Sequence, residues 1–159
     1  MIIKGTSSYE KAKSGNLVSI TGDGGNAWGF FGNAYKKLSP KLYLWQYYHD
    51  NPDDLSEEDL INWYIKEYYN LRLKELNAYK LLKTLEEKFG RDIILLCHEP
   101  AGINLNIKHF CHRRLIADWI ELETGLVIPE ICIDPSGNIV EQEVYDLKSK
   151  IKALKKGNF

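Results

Sequence analysis

The chain has 159 residues, 44% hydrophobic and 27% charged, which suits one domain with its own core. A formal net charge of −1 supplies no global field toward nucleic acid or an acidic membrane. No apolar run approaches the roughly 20 residues that span a bilayer, and "MIIKGTSSYEK" at the start lacks the apolar stretch of a signal peptide, so the expected location is cytoplasmic, without membrane contact.

In chain order, "MIIKG" and "LVSIT" (residues 17–21) read as short buried strands, β-branched and bounded by Gly and Ser. Residues 22–40, "GDGGNAWGFFGNAYKKLSP", hold five glycines and read as a long loop, a kind that is often functional. "SEEDLINWYIKEYYNLRLKEL" opens with Ser56 and Asp59 at capping spacing, and Leu60, Trp63, Tyr64, Tyr68 and Leu71 follow the helical period. Asn77 opens a second helix, "AYKLLKTLEEKF", with Gly90 as its stop. "DIILLC" (residues 92–97) has the continuous apolar run of a strand buried on both faces. "CHRRLIADWIELETG" is predicted as a helix ended by Gly125. "LVIPEI" begins another strand, and "ICIDPSGNIVEQ" reads as two extended pieces around an Asp134-Pro135-Ser136-Gly137 turn. Residues 141–159 carry a closing amphipathic helix and a basic tail, "KSKIKALKK". The alternation of strands and helices predicts a single α/β domain over residues 1–159, with a mostly parallel sheet flanked by helices in a Rossmann-like three-layer sandwich.

The chemistry concentrates in residues 95–121, "LLCHEPAGINLNIKHFCHRRLIADWIE", which hold two of the three cysteines and three of the four histidines. Ligands of parallel sheets bind beyond the carboxyl ends of the strands, where Cys97, His98 and Glu99 are expected. Cys111, His112 and Arg113 open the following helix, whose positive end suits an anion and favours a thiolate. The two cysteines are therefore expected close in space. An odd, sparse cysteine set reads as thiols or ligands rather than as a disulfide framework. Cys97 reads more readily as a buried thiol than as a nucleophile; for Cys111 the two roles balance. Cys132 reads as core, and His98 and His109 are weaker candidates. Arg113 reads as an anion contact, and Glu99 either as a general base or as the ion-pair partner of Arg113 or Arg114. Thr6 and Ser7 either hold a phosphate or cap a helix, the second being the commoner role. Trp28, Phe30 and Phe31 either stack on a base or plug the core.

No zinc-finger spacing, P-loop, dinucleotide fingerprint or thiol-phosphatase loop is present. The sequence names no cofactor and no committed metal set, although Cys97 and Cys111 have the right chemistry for one.

Three motifs in order, "GTSSY", then "LVSIT" with "NAWGFFGNAYKKLSP", then "LLCHEP" with "FCHRRLIADWIE", resemble the domain of unknown function 488 family of prokaryotic and phage proteins over residues 2 to about 130. The third pair is the specific one. The resemblance implies an α/β fold and a site at Cys97, Glu99, Cys111, His112 and Arg113, with Thr6 and Ser7 beside it. The chain departs from the pattern at His98 and in the long segment between Glu99 and Cys111.

The expectation is thus a small enzyme acting on an anionic substrate, a nucleotide or nucleic-acid component. Cys111 is its reactive thiol, Glu99 and His112 move protons, and Arg113 holds a phosphate under a cover formed by residues 22–35. The alternatives are a non-catalytic nucleotide- or nucleic-acid-binding module and a metal-binding protein using Cys97 and Cys111. The oligomeric state is not legible.

Overall fold

A computed structural model of the chain describes residues 1–21, 26–27, 30–98 and 111–157. It shows a single α/β domain whose six-stranded sheet is mostly parallel and flanked by five helices. The strands are β1 (Ile3–Ser8), β2 (Asn16–Ser19), β5 (Asn33–Ala34), β6 (Ile93–Cys97), β7 (Glu130–Ile133) and β8 (Ile139–Gln142), in the spatial order β5-β2-β6-β1-β7-β8. Only β8 runs antiparallel to its neighbour, joined to β7 by the predicted Asp134 turn, where Asp134 Oδ1 accepts from the backbone N–H of Ser136 and Asn138. Strands β3 (Asn26–Ala27) and β4 (Phe30–Phe31) form a separate short ribbon. The glycine-rich stretch expected as a loop therefore includes short pairings, one of which, β5, extends the sheet beside β2.

Strand β6 is buried throughout, as its apolar run predicts. Side chains alternate across a strand, so its residues divide between two cores. Ile93 and Leu95 join the main core, to which all five helices contribute: α1 (Leu42–Asp50), α2 (Glu57–Tyr68), α3 (Ala78–Phe89), α4 (His112–Thr124) and α5 (Lys148–Lys155). Ile94 and Leu96 join a smaller cluster with Ile131, Ile133, Tyr9 and Ala12. Each such apolar side chain contributes about 1.5–3 kcal/mol of burial. The layering is less symmetrical than the expected sandwich: among the described residues, the second face is packed by the β1–β2 connection rather than by a helix.

The helix ends follow their capping residues. Ser56 Oγ accepts from the Asp59 N–H and Asn77 Oδ1 from the Lys80 N–H, each satisfying a donor of the first turn. Helix α1 has no counterpart in the sequence reading. Its N-cap, Lys41, makes no side-chain cap, and only Leu44 is fully buried, so neither cap nor period announces it. A β-carbon at Gly5 would stand 2.8 Å from Ile131 Cδ1 and 3.0 Å from the Pro129 carbonyl oxygen. Glycine there lets β1 lie close to the segment entering β7, which brings Thr6 opposite Glu130.

Candidate functional site

Strands β1, β2 and β6 end side by side, and Ser8 pairs with Cys97 in register. Helix α4 crosses back so that its N-cap, Cys111, meets the end of β6. The two sulfurs are joined as a disulfide across 14 residues. Their proximity follows from strand end and helix start sharing one sheet edge. Their bond corrects the expectation of thiols or ligands: an odd cysteine count excludes only a fully paired set, and Cys132 is the thiol left over, half-buried.

His112 lies at the first position of α4, buried against the ring of Tyr68 at a centroid distance of 5.4 Å. Its Nε2 is 2.7 Å from the Ile20 carbonyl oxygen, which only accepts, so Nε2 carries the hydrogen. Nδ1 then presents a lone pair 3.7 Å from Cys111 Sγ. Burial pushes the His112 pKa down to about 3, the hydrogen bond to Ile20 opposing and Arg113 assisting, so the ring is neutral at pH 7.

Arg113 is wholly buried and forked onto Glu130, with Nε 3.0 and 3.2 Å from the two carboxylate oxygens and Nη2 2.7 Å from Oε2. Its Nη1 donates to Cys97 Sγ at 3.0 Å. Arg114 donates through Nη1 to Thr6 Oγ1 and to the Ile128 carbonyl, both at 2.8 Å, and Asp118 lies 3.7 Å from its Nη2. Burial lowers the Arg114 pKa and raises that of Asp118, the latter against the backbone N–H of Leu147, which donates to its carboxylate. Thr6 closes the network by donating to Glu130 Oε1 at 2.6 Å. Two guanidinium groups and two carboxylates thus share one buried region beside the disulfide and His112.

The structure brings together Cys97, Cys111, His112, Arg113 and Thr6. Glu99, Trp28 and His109 lie outside the described residues, as do residues 22–25 and 28–29 of the expected cover; His98 is half-buried. Among the described residues, the carboxylate that meets Arg113 is Glu130, which sequence reasoning missed. Its only signal was an acid inside the apolar run "VIPEICI". Thr6 is committed to Glu130 and Arg114 rather than to a helix cap, and Ser7 takes the other face of the sheet, where its buried Oγ has no partner among the described residues. Phe30 packs beside Tyr9 at a centroid distance of 5.3 Å, while Phe31 is 81% exposed and plugs no core. No described helix is long and apolar enough to cross a membrane. Comparison of the chain with protein-family models, curated proteins and solved structures finds no match.

Proposed function

We propose that the protein is a small cytoplasmic enzyme acting on an anionic substrate, a nucleotide or nucleic-acid component, through the cysteine–histidine–arginine cluster at the carboxyl edge of its sheet. The observation that supports this most is the neutral Nδ1 of His112 facing Cys111 Sγ at 3.7 Å, at the first turn of α4. A base beside a thiol, oriented by a third group, is the arrangement of an activated nucleophile. Once the disulfide is reduced, Nδ1, held neutral by burial, accepts a hydrogen bond from the Cys111 thiol and orients it for loss of its proton to solvent. The positive end of α4 favours the resulting thiolate and attracts the anionic group of the substrate.

Arg113 is a positioning residue in this reading. Its guanidinium is directed to Glu130 and Cys97, so the anion contact first expected of it passes to the backbone of the helix start. Thr6 orients Glu130 in the same way. Glu99 as a second proton carrier and Trp28 as a stacking partner are proposed from the sequence alone. The resemblance to the domain of unknown function 488 family supports the same residue set, and membership of that family is part of the proposal.

The test uses the reduced full chain in a chelating buffer with inorganic phosphate, nucleoside 5′-monophosphates and a short single-stranded oligonucleotide as probes. At least one nucleotide probe is expected to slow iodoacetamide labelling of Cys111 and raise the unfolding temperature, with labelling of Cys132 unchanged. If no probe alters either quantity, the anionic-substrate reading fails.

A further inference from the structure

We propose that Cys97, Cys111 and His112 form a site for one divalent cation of the zinc class, available once the disulfide is reduced. The two Sγ atoms and a ring nitrogen of His112 lie within 4.8 Å of one another, and all three residues are buried. Zinc sits about 2.3 Å from thiolate sulfur and about 2.0–2.1 Å from imidazole nitrogen, so tetrahedral ligands stand less than about 4 Å apart. The Cα atoms of the two cysteines are 7.3 Å apart, which leaves the sulfurs room to separate around an ion when their bond is broken.

Two features around the donors match a metal site independently. The first is the hydrogen bond from His112 Nε2 to the Ile20 carbonyl. A metal-ligating histidine almost always donates its other N–H to such an acceptor, which fixes the tautomer and aims the lone pair. The second is Arg113 Nη1, 3.0 Å from Cys97 Sγ in a fully buried position. A guanidinium N–H gains far more from a thiolate than from a neutral sulfur. Charge leads to the same answer. Two adjacent buried thiolates repel, so without a counter-ion only one ionises readily; a divalent cation balances both.

The donor chemistry selects the ion. Thiolate and imidazole suit zinc, whereas magnesium and calcium take oxygen ligands. Two cysteines and one histidine, the donors found among the described residues, are a set used in catalytic zinc sites, where water or substrate takes the fourth position. The inference shares Cys111 with the enzyme reading but does not rest on it: a held cation makes Cys111 a ligand instead of a free nucleophile. The chemistry balances. A trialkylphosphine and one water reduce the disulfide to two thiols and phosphine oxide, and cation binding then releases the two thiol protons.

The experiment titrates Co²⁺ into the full chain after phosphine reduction and anaerobic desalting, beside the same chain left unreduced. The reduced chain is expected to bind one cobalt with thiolate-to-cobalt charge-transfer absorption, displaced by Zn²⁺, while the unreduced chain shows none. Cys97→Ser and Cys111→Ser should each weaken binding at least tenfold, and Cys132→Ser should leave it unchanged. Because substitutions in this buried cluster also threaten folding, the reduced and unreduced forms of the unaltered chain are the deciding pair. Absence of the charge-transfer band in the reduced chain, an equal band in the unreduced chain, or its loss with Cys132→Ser overturns the site. The labelling test above is run in chelator without metal, so either proposal can fail alone.

Discussion

At the carboxyl ends of β1, β2 and β6 the two faces of the sheet differ in kind. The helix side carries Cys97, Cys111, His112, Arg113 and Glu130, with Arg114, Thr6 and Asp118 behind them. The opposite side carries hydroxyls: Tyr9 Oη lies 2.6 Å from Ser19 Oγ and 2.9 Å from Thr21 Oγ1, which are themselves 3.1 Å apart. Both groups are buried and both tie together separate elements. Neutral hydroxyls satisfy one another at modest net gain, and each bond contributes about 0.5–1.5 kcal/mol. A buried ion pair seldom stabilises more than apolar residues of the same size, yet losing one partner is severe. The helix-side cluster is therefore hard to explain as a device for stability, and perturbed, partnered ionisable groups of this kind concentrate where chemistry is done.

The largest expected effect comes from Glu130→Gln, which takes from the buried Arg113 guanidinium the carboxylate charge forked onto it. A loss of about 3–5 kcal/mol is expected in urea unfolding. A loss no larger than that of a hydroxyl deletion on the other face would erase the contrast between the two sides. Next comes the pH dependence of the disulfide form. His112 titrates at about 3 when folded, against an ordinary 6.5. Below 6.5 the unfolded chain gains a proton that the folded chain refuses, so this contribution to stability is present above 6.5 and is lost as pH falls toward 3. The slope reaches about 1.4 kcal/mol per pH unit. His112→Gln, whose amide can still donate to Ile20, should flatten that slope between pH 6 and 4.5; parallel slopes for the two proteins would contradict the buried neutral imidazole. The smallest effect is that of Tyr9→Phe, which removes the hydroxyl shared by Ser19 and Thr21 and should cost about 1 kcal/mol. A loss matching that of Glu130→Gln would show that the neutral face is equally critical.

Much of the scaffold was legible in the sequence. The apolar run of β6, the caps at Ser56 and Asn77 and the periodicity of α4 each name their element through local chemistry. The meeting of Cys97 and Cys111 was legible too, because a strand end and the next helix start share a sheet edge in parallel folds. Partners across the sheet were not. Thr6 and Glu130 are 124 residues apart, and they meet because β1 and β7 are neighbours in an order that no local pattern encodes. The directions of His112, Arg113 and Arg114 were equally hidden. Consecutive helical residues point about 100° apart, so "HRR" sends one side chain to Ile20, one to Glu130 and Cys97, and one to Thr6 and Ile128. The expectation that Arg113 holds a phosphate overlooked that divergence.

The central claim is that the reduced cluster holds an activated thiol at Cys111. The most direct measurement is iodoacetamide labelling of the phosphine-reduced, metal-free chain from pH 5 to 9, with the three cysteines resolved by peptide mapping. Cys111, oriented toward the neutral Nδ1 of His112 at the start of α4, is predicted to label ahead of Cys97 at neutral pH and to slow at least tenfold in His112→Gln. If Cys111 labels no faster than Cys97 at neutral pH, or if His112→Gln leaves its rate unchanged, the activated-thiol account is contradicted.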